Sequence, residues 1–525
     1  MNTGSQSFEG ICDLVESFRT NTASALSFYQ GKTLGGRMSY SDLYERVHAL
    51  VKVFENLGVR EGDRILILSQ NRLEIPALLL AIFYVGAIAV PLNPTAPSEE
   101  WEFIARHSAA RGLFASSELR SRFLKNSAKL EFALDLETVM KAPFTGTSGL
   151  RENRGEDTCL VLYTSGTTGT PKGVALSQRA LLHNAWSMAE NFGLKESTQF
   201  AVLPLYHAHA LGFGLMTSLT TGGHLVFAER FDPFAWGEIV NREGVTYTSV
   251  VPNLLPVLLS VGVHAKKVPT LRGVLVSSAP LTTELAMRFE TKTEIRLIQG
   301  WGLSEYTNFA CCLSPTSSKE QHEELLFKGE HSSIGSPLKG TEVVVVDEKN
   351  EVVAEGCSGE LWIRGPSQMN SYFSDAQATE SVVHKDWLRT GDLGYRIGNS
   401  FFITGRIKEV IIRNGEKISP IWVEKTILGF LPHLESRLAV LGFFHKSFGE
   451  EIGMYVDMTT LAATDLDELK AVLEKIQLER RPKVVMTGQT AIPRTHTGKV
   501  QRRKLLPLFS GFSEMKGPVQ FLAVN

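Results

Sequence analysis

The chain has 525 residues, more than a single hydrophobic core normally serves, so two or more domains are expected. Apolar residues make up 43% and charged residues 21%, with 54 basic and 56 acidic side chains for a net charge of −2. That balance excludes a global electrostatic pull toward nucleic acid or an anionic membrane, so any anion site has to be built locally.

The first elements alternate. Leu43, Val47, Leu50, Val51, Phe54 and Leu57 recur at helical spacing, with Ser41 placed to cap the helix and Gly58 to stop it. Arg64 to Ser69 reads as a strand, an apolar helix follows from about Ile75, and Ala87 to Pro91 reads as another strand. This order predicts a doubly wound α/β layer. The longest apolar run, Ala77 to Val90, is shorter than the ~20 residues a membrane span needs and is interrupted by Gly86, so it reads as a buried helix. The N-terminus shows no basic segment followed by an apolar one, which argues against a signal peptide. Cys12, Cys159, Cys311, Cys312 and Cys357 show no metal spacing and are too few for a disulfide framework; a reducing, cytoplasmic setting is expected.

After a polar, Gly-rich stretch from Ala142 to Asp157 comes the apolar strand Cys159 to Leu162 and then Tyr163-Thr-Ser-Gly-Thr-Thr-Gly-Thr-Pro-Lys-Gly173. From Thr164 to Thr170 every residue is Gly, Ser or Thr: Thr164, Ser165, Gly166, Thr167, Thr168, Gly169 and Thr170. Gly admits close backbone N–H groups, hydroxyls donate to phosphate oxygens and Lys172 adds charge, so a loop between a strand and the helix expected from Ser177 would suit polyphosphate. It is not a Walker A loop, since Pro171 rather than Gly precedes Lys172.

Further segments carry chemistry. Pro204-Leu-Tyr-His-Ala-His-Ala-Leu-Gly212 offers His207 and His209, followed by Phe213. A strand from Leu271 to Val276 leads into Ser277-Ser-Ala-Pro-Leu281. Then come Gln299-Gly-Trp-Gly-Leu-Ser-Glu305, Ser358-Gly-Glu-Leu-Trp-Ile-Arg-Gly365, Trp387-Leu-Arg-Thr-Gly-Asp392 and Phe401-Phe-Ile-Thr-Gly-Arg406. Asn414-Gly415 marks a turn, Leu466 to Ile476 an amphipathic helix and Lys483 to Met486 a strand. Pro493-Arg-Thr-His-Thr-Gly-Lys-Val500 places Lys499 beside Gly498 on a loop, and the chain continues past Leu505.

In this order the segments resemble those of the adenylate-forming superfamily: acyl- and aryl-CoA synthetases, luciferases and peptide-synthetase adenylation domains. The resemblance spans nearly the whole chain. It implies an α/β fold with a large N-terminal domain of doubly wound mixed sheets over residues 1–406 and a small mobile α+β lid over 407–525, hinged at Lys408. It implies an AMP-forming acid ligase using ATP and Mg²⁺. The loop from Thr164 to Lys172 would hold the β- and γ-phosphates. Ser278, Ala279, Pro280, Gly300, Trp301 and Gly302 would lie along the adenine, where Trp301 replaces the commoner Tyr. Ser304 would meet the α-phosphate, Glu305 would bind Mg²⁺, Asp392 would take the ribose hydroxyls, and Ile403 and Arg406 would flank the nucleotide. Lys499, His207, Lys172 and Arg406 are the catalytic candidates.

The resemblance also implies an acyl pocket formed by His207, His209, Phe213, Ser277, Ser278 and Gly300, with Gly415 on the acceptor tunnel. The family usually has Gly or Ala where Ser277 and Ser278 stand; these hydroxyls and His209 either form a polar pocket wall for a small or aryl, partly polar acid, or bond local backbone. Many members carry Lys three residues before Gly415, and this chain has Ile412. CoA is the default acceptor. A carrier-protein pantetheine or an amine is the alternative, and amino acid substrates rank lower because the usual Phe-Asp segment is replaced by Pro204-Leu-Tyr-His207. A nucleotide-binding protein without turnover is the non-enzymatic alternative. No nucleic acid partner and no membrane span are expected, and either a monomer or a homodimer is compatible with the sequence.

Overall fold

The computed structural model describes residues 8–125, 130–147, 155–164, 171–495, 498–515 and 517–524. The early alternation becomes a seven-stranded sheet in the order Ser371–Tyr372, Lys172–Ser177, Thr158–Thr164, Ile88–Leu92, Arg64–Leu68, Gly112–Ala115 and Phe132–Asp135. The five strands from Thr158–Thr164 onward are parallel neighbours, as a doubly wound layer requires. The helix Ile75–Tyr84 has all ten residues buried, so the apolar run belongs to the core. Among the described residues no helix is long and apolar enough to cross a membrane.

The first amphipathic helix, Tyr40–Asn56, starts two residues ahead of expectation. Ser39, not Ser41, is its cap: Ser39 Oγ accepts from the Asp42 N–H while the Asp42 carboxylate accepts from the Ser39 N–H. This reciprocal pair satisfies two end donors that Ser41 alone could not. Tyr40 is drawn into the helix by its buried hydroxyl, which donates to the Gly223 and Ser218 carbonyls.

Two strands flank the hydroxyl-rich stretch. Thr158–Thr164 and Lys172–Ser177 pair antiparallel, with Thr164 opposite Lys172. These two strands are therefore the arms of a β-hairpin, and the next helix, Gln178–Phe192, starts at the far end of the returning strand with Ser177 as its cap, where the sequence predicts a helix. Among the described residues no helix begins directly after this stretch; the strand Lys172–Ser177 intervenes.

A larger mixed sheet of fourteen strands carries Gly273–Val276, Leu297–Gly302, Trp387–Ile397 and Ser400–Arg406. Past Arg406 the chain builds a six-stranded sheet from Ile411–Arg413, Glu416–Ile418, Leu438–His445, Gly449–Asp457, Val484–Gly488 and Gln520–Val524, flanked by the helices Pro420–Phe430 and Ala463–Lys475. Two apolar clusters in this part draw only on residues after Ile407. The fold is thus the expected two-part α/β arrangement, a large multi-sheet body followed by a small α+β unit.

The tail beyond Leu505 has a structural task. Its 3₁₀ turn, Leu506–Phe512, buries Phe509, which stacks on Phe443 at 5.4 Å between ring centroids, and Gln520–Val524 adds a parallel strand to Val484–Gly488. Phe509→Ala should cost roughly 3–5 kcal/mol, the usual loss for a buried Phe. Hydrogen exchange should show the loss as faster exchange in Val484–Gly488 with no change in Arg64–Leu68; unchanged protection in both would remove this role from the tail.

Candidate active site

Several of the predicted residues meet near the junction of the two parts. Trp301, on the strand Leu297–Gly302, donates its indole N–H to Asp392 Oδ2 at 2.9 Å. Arg406 sits opposite Asp392 in the antiparallel ladder and donates from Nε to Oδ1 at 2.6 Å. Asp392 is only 5% exposed, so both of its oxygens are satisfied inside the protein. Trp301 therefore does something a Phe could not. Gly300 leaves room for the Phe309 ring, which an added Cβ would meet at 2.6 Å, and at Gly302 the Asn308 carbonyl would lie 1.7 Å from one. Ile403 lies half-buried on the strand that ends at Arg406.

Ser304 and Glu305 open a 3₁₀ turn, Ser304–Tyr306. It closes on Thr307, whose φ of 62° and ψ of −53°, with the Asn308 N–H on the Tyr306 carbonyl at 2.6 Å, make a γ-turn of the rare positive-φ kind. A β-branched residue is strained there. The half-buried Glu305 accepts from the Tyr372 hydroxyl at 2.8 Å through Oε1. Lys172 Nζ lies 4.9 Å from the centre of the same Tyr372 ring. Thr164 and Lys172 bracket the hydroxyl-rich loop, whose Ser165, Gly166, Thr167, Thr168 and Gly169 lie outside the described residues.

Lys499 reaches this centre from the second unit. Its turn is tight: the Lys499 N–H donates to Thr495 Oγ1 at 3.0 Å, the Gly498 N–H to the Thr495 carbonyl at 2.9 Å, and Gly498 has φ 83°. A Cβ on Gly498 would approach Asn253 Oδ1 to 3.3 Å, so the loop lies directly against the large body. Burial foremost, then the Arg406 guanidinium, pulls the Lys499 ammonium down to about 8, against Asp392, Glu305 and Glu409, which favour its charge. These partners place Lys499, Arg406, Asp392 and Glu305 in one electrostatic neighbourhood.

At the expected acyl end, His209 is buried and its Nδ1 lies 2.9 Å from Ser277 Oγ and 3.3 Å from Ser278 Oγ. The two serines therefore do bond each other's neighbourhood, through a side chain rather than through backbone. Burial, with a smaller push from His207, lowers His209 to about 3, so it is a neutral ring. His207 packs its ring against Tyr206 at 4.5 Å. Phe213 lies in a π-helical turn, Ala210–Met216, and packs against Phe192 and Phe309. Such turns recur at functional sites. Ser278 has φ 73°, an uncommon backbone for a residue with a side chain, and Ala279 and Pro280 continue that turn.

Lys408 lies exposed in the 3₁₀ turn Ile407–Glu409, at the joint between the two parts. Asn414 and Gly415, with φ 51° and 82°, form the tight turn of the hairpin between Ile411–Arg413 and Glu416–Ile418, and Ile412 is exposed there. The sequence reading missed Tyr372, Asn253 and Asn308, since none carries a signal outside its three-dimensional neighbourhood. It also missed the contact of Glu435 with Arg288 at 2.9 Å and with Thr282 at 3.2 Å, which ties the second unit to the helix Thr283–Thr293. A cleft of about 770 Å³ between that helix and Pro420–Phe430 contains none of the predicted site residues.

A two-part α/β body with these side chains at its joint is the architecture of an adenylate-forming enzyme. The AMP-binding enzyme family profile matches residues 17–373, and the chain belongs to that family. Sulfoacetate–CoA ligase of Cupriavidus necator is 30% identical over 487 residues, covering 90% of this chain and 92% of that protein. Oxalate–CoA ligase of Arabidopsis thaliana is 30% identical over 485 residues, covering 88% and 91%. Among solved structures, an o-succinylbenzoate-CoA synthetase from Bacillus subtilis holding its acyl-adenylate aligns with a TM-score of 0.81 at 25% identity, over 94% of this chain and 97% of that one. ATP-bound MatB from Rhodopseudomonas palustris shares the fold, with a TM-score of 0.84 over 96% and 100% at 22% identity.

The lowered Lys499 value has a measurable sign. Its charge is complete well below pH 8 and is lost as pH rises through about 8. If that charge serves adenylation, kcat/KM for ATP, which reports the free enzyme, should fall about tenfold per pH unit above that point. A flat profile from pH 7 up to about pH 10 would detach the rate from this ammonium.

Proposed function

We propose that the chain joins a short, polar carboxylic acid to CoA through an acyl-adenylate, with Lys499 serving the first step only. The AMP-forming acid–CoA ligase class follows from the family, and the relatives that are CoA ligases favour CoA over a carrier protein or an amine as acceptor. The observation that carries the reading is the gathering of Lys499, Arg406, Asp392 and Glu305 at one joint, with Lys172 tied to Glu305 through Tyr372.

In the first step a carboxylate oxygen forms a bond to the α-phosphorus of ATP while the bond to the β-phosphate oxygen breaks and pyrophosphate leaves. Lys499 and Arg406 offset charge around the α-phosphate, and Lys172 and the hydroxyl-rich loop hold the outgoing phosphates. No protein nucleophile is needed, and positioning with fixed charge supplies the rate. Asp392, already aligned by Trp301 and Arg406, takes the ribose.

Mg²⁺ suits Glu305. A single carboxylate, completed by phosphate oxygens and water, is a usual Mg²⁺ environment, and Glu305 Oε2 takes no hydrogen bond from any described residue. When bound, the ion neutralises phosphate charge. In the second step the CoA thiol attacks the acyl carbon, releasing AMP and a proton. For this the unit of residues 407–525 turns about Lys408 relative to 1–406, withdrawing Lys499 and bringing the Gly415 turn to the acceptor path. The protein acts in a reducing, aqueous compartment.

The acid is read from the pocket wall. His209 Nε2 and Asn308 Nδ2 are buried and have no hydrogen-bond partner among the described residues. Leaving such atoms against an apolar chain is costly, whereas an oxygen-rich acid would satisfy them. Phe213 and Phe309 close the same side, which favours a short acid. The names of the two relatives, sulfoacetate– and oxalate–CoA ligase, both denote ligases of short acids with a second acidic group.

Acid-dependent ATP–pyrophosphate exchange tests this directly. Exchange should appear with short acids carrying a second polar or anionic group and be weak with long fatty acids. Exchange with fatty acids alone would refute the pocket argument while leaving the enzyme class intact. Lys499→Ala should lose on the order of a hundredfold or more in adenylate formation yet still convert preformed acyl-adenylate to the thioester. Equal loss of both half-reactions would sink the two-position assignment.

A further inference from the structure

We propose that Tyr372 is a positioning residue that couples the phosphate-loop lysine to the carboxylate of Glu305, so that metal and phosphate are presented in one fixed geometry. The inference rests on the reading of Glu305 as the Mg²⁺-binding carboxylate.

Tyr372 belongs to the short strand Ser371–Tyr372, which pairs antiparallel with Lys172–Ser177, the returning arm of the phosphate hairpin. Tyr372 stands opposite Val174, and the next N–H, of Phe373, donates to the Gly173 carbonyl at 2.7 Å. The ring is thereby carried on the same ladder as Lys172, whose ammonium lies 4.9 Å from the ring centre. A cation over a tyrosine face is attracted by its quadrupole.

The same segment holds the Glu305 turn. The Met369 N–H donates to the Glu305 carbonyl at 2.8 Å, and Thr307 Oγ1 donates to the Ser367 carbonyl at 2.7 Å. These bonds brace the strained backbone at Thr307. Tyr372 completes the strap on the side chain: its hydroxyl donates to Glu305 Oε1 at 2.8 Å and directs the second oxygen elsewhere. Tyr372 is buried, and its N–H donates to Thr379 Oγ1 at 2.9 Å, so the ring is held from its own backbone. One rigid phenol thus touches the lysine with its face and the carboxylate with its hydroxyl. Removing the hydroxyl frees the carboxylate but leaves the face, which separates the two roles.

The test is calorimetric titration of ATP into the full-length protein at a series of free Mg²⁺ concentrations, on wild type, Tyr372→Phe and Tyr372→Leu. Tyr372→Phe should require on the order of tenfold more Mg²⁺ for half-maximal ATP binding, the scale of one hydrogen bond to a charged group, with metal-free ATP affinity unchanged. Tyr372→Leu should weaken metal-free ATP binding as well. In a Glu305→Gln background, Tyr372→Phe should add no further Mg²⁺ requirement. Melting temperatures are taken alongside. A Phe variant with the wild-type Mg²⁺ requirement, whether or not it melts earlier, would overturn the proposal, as would equal loss of ATP affinity with and without metal. If wild type binds ATP independently of Mg²⁺, the reading of Glu305 itself fails; if wild type is Mg²⁺-dependent and the Phe variant is unaffected, only the role of Tyr372 fails.

Discussion

A buried carboxylate organises the joint of this molecule. Asp392 is held between the Arg406 guanidinium and the Trp301 indole N–H, with almost no exposure to water. Burying a carboxylate costs several kcal/mol unless both oxygens are satisfied, so this triad tolerates few other arrangements. It fixes three strands of the large sheet relative to one another, and the chain leaves the large body one residue after Arg406. The charge of Lys499, arriving from the second unit, is set by burial and by the same Arg406 and Asp392. Its lowered pKa is thus a property of the joint rather than of its own loop.

Around that joint the protein carries several local costs. Ser278 and Thr307 take positive φ, the segment Ala210–Met216 is wound as a π-helical turn, and buried polar atoms on His209 and Asn308 lack partners among the described residues. Strain and unsatisfied groups persist where the surroundings over-determine them. The neutral His209 fits that pattern: with burial holding its pKa near 3, it serves as a hydrogen-bonding wall and not as a charge.

The second unit is coupled to the first by polar contacts spread along its face. Glu435 meets Arg288 and Thr282, the Lys425 ammonium donates to the Glu330 carbonyl, and Lys417 pairs with Glu348. Contacts of this kind hold one arrangement without the large apolar area that would make it permanent, which suits a unit proposed to turn between two half-reactions. The C-terminal strand Gln520–Val524 and buried Phe509 stiffen that unit internally, so it can move as one body.

Much was legible in the residues alone. Periodicity marked the helices Tyr40–Asn56 and Ala463–Lys475 and the parallel strands, because burial of one face leaves a repeat in the sequence. The ordered segments around Lys172, Trp301-Gly-Leu-Ser-Glu305, Asp392, Arg406 and Lys499 marked the family. What lay outside the sequence was pairing. That Thr158–Thr164 and Lys172–Ser177 form a hairpin depends on Thr164 lying opposite Lys172. That Trp301 grips Asp392, and that Tyr372 joins Lys172 to Glu305, depends on side chains separated by 67 residues or more in the chain. A periodic pattern reports which face of an element is buried; only tertiary structure decides which distant side chain meets it there, since hydrogen bonds and ring contacts act over a few ångströms and carry no trace along the sequence.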